Sequence, residues 1–141
     1  MAYFTRHVVT MVMDTSTSGT AEAYSEPVNG YVHSVRYVHS TSGGFSTTCH
    51  LKITGEVTGF PVLGVIPDFT GTGVSGTYYP RVDICNSSGD FNIYDSTSTE
   101  ETRRIKDKVG LATERIKFEI TTSTSTGDNT GSGIFHIMVG G

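Results

Sequence analysis

Residues 115–121 read RIKFEIT, and in this stretch apolar and polar side chains alternate without a break. Side chains of a β-strand point to opposite faces in turn, so Ile116, Phe118 and Ile120 share one face. The charged residues Arg115, Lys117 and Glu119 share the other face. The stretch therefore predicts a strand with one face in a core.

The same alternation recurs on both sides of this stretch. Residues 49–54 place Cys49, Leu51 and Ile53 inward, and residues 133–139 form a closing strand. Five further segments have strand-like patterns: residues 4–13, 31–39, 62–66, 77–85 and 91–94. For residues 4–13 the apolar side chains on both faces predict a strand that is covered, at least partly, on both sides.

Proline and one capping signal refine this pattern. Pro61 and Pro67 bracket a short apolar run, and proline cannot donate to a ladder, so an edge strand is expected there. Pro80 interrupts residues 77–85. The spacing of Ser98 and Glu101 is typical of a capping box, which predicts one short helix ending near Lys108.

Together these elements predict an all-β protein. About eight short strands separated by turn residues favour a single antiparallel β-sandwich or jelly-roll-like domain over residues 1–141, with at most one short helix. Residues 1–23 are expected to form an N-terminal strand and a polar loop.

Composition and charge exclude some function classes. Only 17% of the 141 residues are charged and the net charge is −4, so a clustered positive field for nucleic acid is missing. No apolar run is long enough to suggest a membrane span, and residues 1–7 do not resemble an export signal. Neither nucleic acid nor a membrane is an expected partner.

Cysteine and histidine placement argues against a cofactor or metal site. Cys49 and Cys85 are too few for a disulfide scaffold and are expected to be buried free thiols. His33 and His39 are predicted on one face of one strand about 20 Å apart, too far to share an ion. A metal site built from separate strands, such as His7 with His136, stays open as a minor alternative.

The remaining chemical signals are weak. Residues 71–76 match the G-x-G-x-x-G fingerprint of dinucleotide sites, but they lead into a strand-like segment where that motif needs a helix. Cys49 and His50 point to opposite faces, which argues against a nucleophilic dyad. Asp83, Asp90 and Asp95 are the only carboxylates offered for glycoside chemistry. No cofactor is expected, and the chain is predicted not to be an enzyme.

Four tyrosines are the candidate binding residues. Tyrosine offers a large rigid surface with a hydroxyl, which suits contact with a sugar or a partner protein. Packing in the core or between subunits is the commoner use. The candidates are Tyr31, Tyr37, Tyr78 and Tyr79.

Several short segments, taken in order, resemble small virion structural proteins of tailed bacteriophages, and most closely capsid decoration (cement) proteins. The likeness covers most of the chain after about Tyr24. It rests on PVNG (27–30), RYV (36–38), ITGE (53–56), YPR (79–81), ERIK (114–117) and the ending SGIFH to VGG (132–141). Residues 96–102 and the long loop before Gly133 depart from the pattern.

The resemblance implies a role on the capsid. Such proteins are compact β domains, often homotrimers, that clip neighbouring major capsid protein subunits together and stabilise the head. It implies location on the virion surface, assembly in the host cytoplasm, and subunit or capsid contact by residues 1–23. The alternatives are a tail-tip or fibre-associated module that binds host glycan and, from another class, a glycan-active enzyme.

Overall fold

The computed structural model describes residues 3–13, 20–40, 45, 49–66, 75–90, 105–122 and 131–140. These residues form ten strands and no helix. The strands are β1 (Phe4–Met13), β2 (Thr20–Tyr24), β3 (Val28–His39), β4 (Cys49–Gly55), β5 (Pro61–Ile66), β6 (Gly76–Tyr78), β7 (Arg81–Asp83), β8 (Lys106–Glu114), β9 (Ile116–Thr122) and β10 (Gly131–Gly140).

The strands form two antiparallel sheets. The six-stranded sheet has the order β1-β10-β3-β8-β7, and β6 also pairs with β3. The four-stranded sheet has the order β2-β9-β4-β5. The chain crosses repeatedly between the sheets, so neighbours within each sheet are mostly distant in sequence.

The pairing follows a nested scheme. β1 pairs with β10, β2 with β9, and β3 with β8, while β4 and β5 form the innermost hairpin. The chain thus resembles one long two-stranded ribbon that has been rolled up. Rolling adds the pairs β10 with β3 and β9 with β4.

One hydrophobic core joins the two sheets. The rings of Phe118 on β9 and Phe135 on β10 lie 4.9 Å apart between centroids, which connects the four-stranded to the six-stranded sheet. Tyr37 packs 5.3 Å from Phe135 from the neighbouring strand. The inward side chains predicted for residues 49–54, 115–121 and 133–139 are all buried here. The predicted all-β sandwich is therefore confirmed.

Two predictions about single elements are wrong. Residues 106–108 lie in β8, where Lys108 pairs with Arg81 and Lys106 with Asp83, so the predicted helix does not reach Lys108. Cross-strand pairing here overrides the local capping signal; residues 98–104 lie outside the described part. In β1, Val8 and Val12 are 52% and 63% exposed, so only one face of this strand is covered.

The predicted edge strand and the Pro80 interruption are both present. β5 lies at the edge of the four-stranded sheet, and Pro80 separates β6 from β7. The strand predicted at 91–94 lies outside the described residues. Two strands were not predicted: β2 follows a turn-rich segment, and β8 occupies the region assigned in part to the helix.

A register shift divides β3. Met138 pairs with Ser34 and Val139 with Val32, so His33 is an extra residue in this strand. The shift explains why Val32 and Val35, three positions apart, are both fully buried. It also turns His33 toward solvent, away from the face that strict alternation predicts.

Glu114 anchors the corner where β8 meets β9. It is buried, and its Oε1 accepts hydrogen bonds from the backbone N–H groups of Val57 (2.8 Å) and Thr58 (2.7 Å) and from the Thr58 hydroxyl. These bonds, led by the one from the Thr58 backbone, lower the pKa of the Glu114 carboxyl. A carboxylate thus ties the β4–β5 turn to the opposite sheet.

Candidate binding surface

The solvent sides of the two sheets differ in chemistry. On the four-stranded sheet, charged side chains pair with one another: Lys117 lies 3.3 Å from Glu22 and 4.0 Å from Glu119. The hydrogen bond to Glu22 raises the pKa of Lys117. Exposed charges that neutralise one another in this way are typical of a solvated surface.

In the six-stranded sheet, β7 and β8 carry the ion pair between Asp83 and Lys106, but β1, β10, β3 and β6 present a different surface, called the outer face from here on. Its composition follows from strand alternation, because the opposite side chains of β1, β10 and β3 fill the core. The outer face comprises Phe4, Arg6, Val8, Thr10, Val12, Ser34, Arg36, Val38, Thr77, Ile134, His136 and Met138.

The outer face is apolar without being covered. Val8 and Val12 are largely exposed, Ile134 is also exposed, and Val38 and Met138 are half-buried. No aspartate or glutamate belongs to this face among the described residues. Contiguous exposed apolar patches mark interaction sites in folded proteins, whereas scattered single residues do not.

A shallow groove runs along the centre of the outer face. It encloses about 350 Å³ and is lined by Arg6, Ser34, Arg36, Val38, Thr77, His136 and Met138. Arg36 donates a hydrogen bond of 2.9 Å to the Thr77 hydroxyl, which fixes one end of its guanidinium. A second depression of about 320 Å³ continues beyond Val38 toward Thr10 and Ile134.

An aromatic cluster lies at one end of the outer face and is called the aromatic end; it consists of Phe4, His33 and Tyr79. The His33 ring lies edge-on between Phe4 (5.5 Å between centroids) and Tyr79 (6.1 Å). Phe4 and Tyr79 are largely exposed. The extra residue in β3 creates this contact, because it directs His33 outward.

The structure does not bring the four candidate tyrosines together. Tyr37 is fully buried in the core, and Tyr78 is half-buried against it; burial raises the pKa of both phenols. Tyr31 is exposed beside Gly110, and Tyr79 belongs to the aromatic end. The platform formed by all four is therefore absent, and only Tyr79 joins the surface described above.

Sequence reasoning misses most of the outer face. Its signal lies in residues 4–13, where apolar residues at consecutive positions predict a strand covered on both sides. Apolar residues at consecutive positions are also expected in an edge strand that packs one face on the core and binds another protein with the second face. Nothing in the sequence points to Arg6, Arg36 and His136 meeting, because they come from three strands.

No group of three metal-ligating side chains occurs among the described residues. His7 shares the core-facing side of β1 with Val9, whereas His136 lies on the outer face, so the alternative His7–His136 site is wrong. His33 packs in the aromatic end and His39 contacts Tyr37. They therefore lie on opposite faces, contrary to the prediction that they share one.

The carboxylates offered for chemistry take part in local structural contacts where they are described. Asp83 on β7 forms an ion pair with Lys106 at 3.7 Å, and Asp90 closes a turn through its backbone with Asn86. Asp95 lies outside the described residues. Cys49 is buried as predicted, but Cys85 is exposed, and the two do not form a disulfide with each other.

No helix in the described ranges has the length and apolar character that crossing a bilayer requires. No protein-family model matches the chain, and no curated protein or solved structure shows significant similarity to it.

Proposed function

We propose that this chain is a structural binding protein that docks on another protein through the outer face. The observation that carries the proposal is the contrast between the two solvent sides of the sandwich. On the four-stranded sheet Lys117 is paired with Glu22 and Glu119, whereas the outer face exposes valines and an isoleucine around two arginines that form no ion pair with any described residue.

The strand order supports this class of protein. Nested pairing of β1 with β10, β2 with β9, β3 with β8 and β4 with β5 resembles the topology of a jelly roll, with β6 and β7 added. Jelly rolls recur in viral capsid and lectin domains. One fold hosts many functions, so the strand order supports a binding role only in combination with the chemistry of the outer face.

The partner proposed is the major capsid protein. The likeness to decoration proteins indicates a chain that sits on the outside of an assembled phage head and stabilises it. An exposed sheet face of apolar side chains around arginine has the composition of a protein interface, where arginine and methionine are enriched. The chain is accordingly proposed to be a non-enzymatic virion protein, assembled in the host cytoplasm.

A homotrimer is part of the same proposal. Decoration proteins of this kind are often trimeric, and a trimer multiplies weak contacts with a symmetric shell through effective concentration. Sedimentation equilibrium of the purified chain is expected to give three times the mass of one chain. A single-chain mass at micromolar concentration would contradict this part of the proposal.

A second candidate function uses the aromatic end. Exposed rings of Phe4 and Tyr79 beside His33 suit stacking against sugar rings, as expected for a tail-tip module that binds host glycan. This alternative predicts binding to host cells, with loss when Tyr79 is replaced by serine.

Cosedimentation with empty capsid shells of the same phage tests the first proposal, with labelling of host cells measured in parallel. We expect the wild-type chain to sediment with shells, and Val8→Asn with Ile134→Asn to weaken binding at least about tenfold. Val57→Asn is the matched control, because Val57 is an exposed valine in the β4–β5 turn. Failure to bind shells together with labelling of cells would favour the glycan-binding module.

A further inference from the structure

The groove of the outer face contains positive charge that nothing in the described structure neutralises. Arg6 and Arg36 form no ion pair with any described residue, as is also true of Lys52, Arg81 and Lys108, whereas Arg115, Lys106 and Lys117 each lie within 4.0 Å of a carboxylate. The chain has a net charge of −4, so carboxylates are not scarce. None of them belongs to the outer face among the described residues, and the ion-paired Asp83 of the same sheet lies on β7.

The two arginines converge across three adjacent strands. Arg6 pairs with Met138, and Arg36 pairs with His136, two residues before Met138 on β10. Strands lie about 4.8 Å apart, so both guanidinium groups can reach the space above β10. Both also line the same groove.

Two details indicate that the groove is prepared for a ligand. One nitrogen of the Arg36 guanidinium donates a hydrogen bond to Thr77. The other N–H groups of this guanidinium remain available to a ligand. Below the arginines, the His136 Nδ1 is buried without a hydrogen-bond partner among the described residues. Buried polar atoms are nearly always paired, so this nitrogen is compatible with a ligand in the groove, although the Nδ1 of His50 on the four-stranded sheet is unpaired in the same way.

The geometry points to the groove as the binding site for a carboxylate side chain of a partner protein, held between Arg6 and Arg36. Guanidinium groups bind carboxylates with paired, charge-assisted hydrogen bonds. Apolar side chains surround the groove, among them Val8, Ile134 and Met138. A protein surface can cover them with its own apolar groups, whereas a free anion cannot. The inference rests on the proposed function and names the chemistry of the partner.

The same charges argue against a second copy as occupant of this face. A two-fold contact brings the same patch of each chain together, which would oppose Arg6 and Arg36 to their own copies. Like charges facing one another across an interface are unfavourable. A two-fold contact through this face is therefore unfavourable, and the occupant that follows from the proposed function is an acidic surface of the capsid protein.

Titration with the peptide hexaglutamate, followed by amide shifts in NMR spectra, tests this inference. We expect saturable shifts at Arg6, Arg36 and His136, and at least about tenfold weaker binding in Arg6→Gln with Arg36→Gln. Lys52→Gln is the control, since Lys52 is an exposed cation on the other sheet, and hexaglutamine is the uncharged probe. Equal weakening by Lys52→Gln, or equal binding of hexaglutamine, would overturn the inference. Tighter binding of an acidic oligosaccharide than of hexaglutamate would overturn the choice of a protein partner.

Capsid shells separate failure of this inference from failure of the proposed function. If wild type and the double arginine variant bind shells equally, the proposed function stands and the carboxylate site is wrong. If hexaglutamate binds in the groove but shells are not bound, the site stands and the capsid partner is wrong. Both arginines are exposed, so unchanged urea midpoints are expected for the variant.

Discussion

Glu114 is a charged side chain that is only 5% exposed, so its environment determines what it contributes. It accepts two backbone N–H bonds and one hydroxyl bond from the β4–β5 turn. Replacing it with alanine removes these acceptors while the donors stay in place. We expect Glu114→Ala to lower the free energy of unfolding by about 2–3 kcal/mol, measured by urea denaturation at pH 7.

The pH dependence of this contribution follows from the lowered pKa of Glu114. The folded state favours the carboxylate, so its stabilisation is complete above the unfolded-state pKa, about 4.3, and is lost as pH falls through the folded value. The stability difference between wild type and Glu114→Gln should therefore shrink from pH 7 to pH 3. Glu26→Gln, at an exposed position, is the control; a difference that stays constant with pH would contradict this role.

Thr113 has a left-handed backbone, with φ of 49°, which is unfavourable for a β-branched residue. Asn29 Oδ1 compensates by accepting hydrogen bonds from the Thr113 N–H (2.6 Å) and hydroxyl (2.8 Å). We expect Asn29→Ala to cost about 1 kcal/mol in urea denaturation. Adding Thr113→Gly to that variant should recover part of the loss, since glycine adopts this φ freely. A further loss would show that strain at Thr113 is unimportant.

Among the strands, close approach between β3 and β10 depends on a glycine. A Cβ on Gly30, whose φ is +117°, would lie 2.7 Å from the Gly140 carbonyl oxygen. We expect Gly30→Ala to lower the free energy of unfolding by about 2 kcal/mol. A Cβ on Gly64 of β5 would meet nothing within 4 Å, so Gly64→Ala should change stability by less than about 0.5 kcal/mol. Equal effects of the two substitutions would contradict this packing.

Strands with one buried face were predictable because their pattern depends on local alternation. Ile116, Phe118 and Ile120 are fully buried, as the stretch RIKFEIT indicates. β8 was not predictable in this way, because Thr113 and the pairing with β7 and β3 interrupt the alternation of its side chains. The outward position of His33 was equally hidden, since it depends on a register shift relative to β10. Such features are properties of pairing between distant segments.

The complete sandwich has two solvent sides of different character. The resemblance to decoration proteins predicts a protein that binds a surface, but the choice of the face that binds requires the assembled sheets. The outer face combines residues from positions 4–12, 34–38, 77 and 134–138. No single segment contains enough of it to be recognised in the sequence.

Docking of the outer face on a capsid is the main proposal for this protein. An electron-microscopy map of the native phage particle is the decisive measurement, because the map gives both the location and the orientation of the chain. We expect density for this chain on the outside of the head, with β1, β10 and β3 against the shell and the four-stranded sheet toward solvent. Density at the tail tip, or a chain with its four-stranded sheet against the shell, would contradict the proposal.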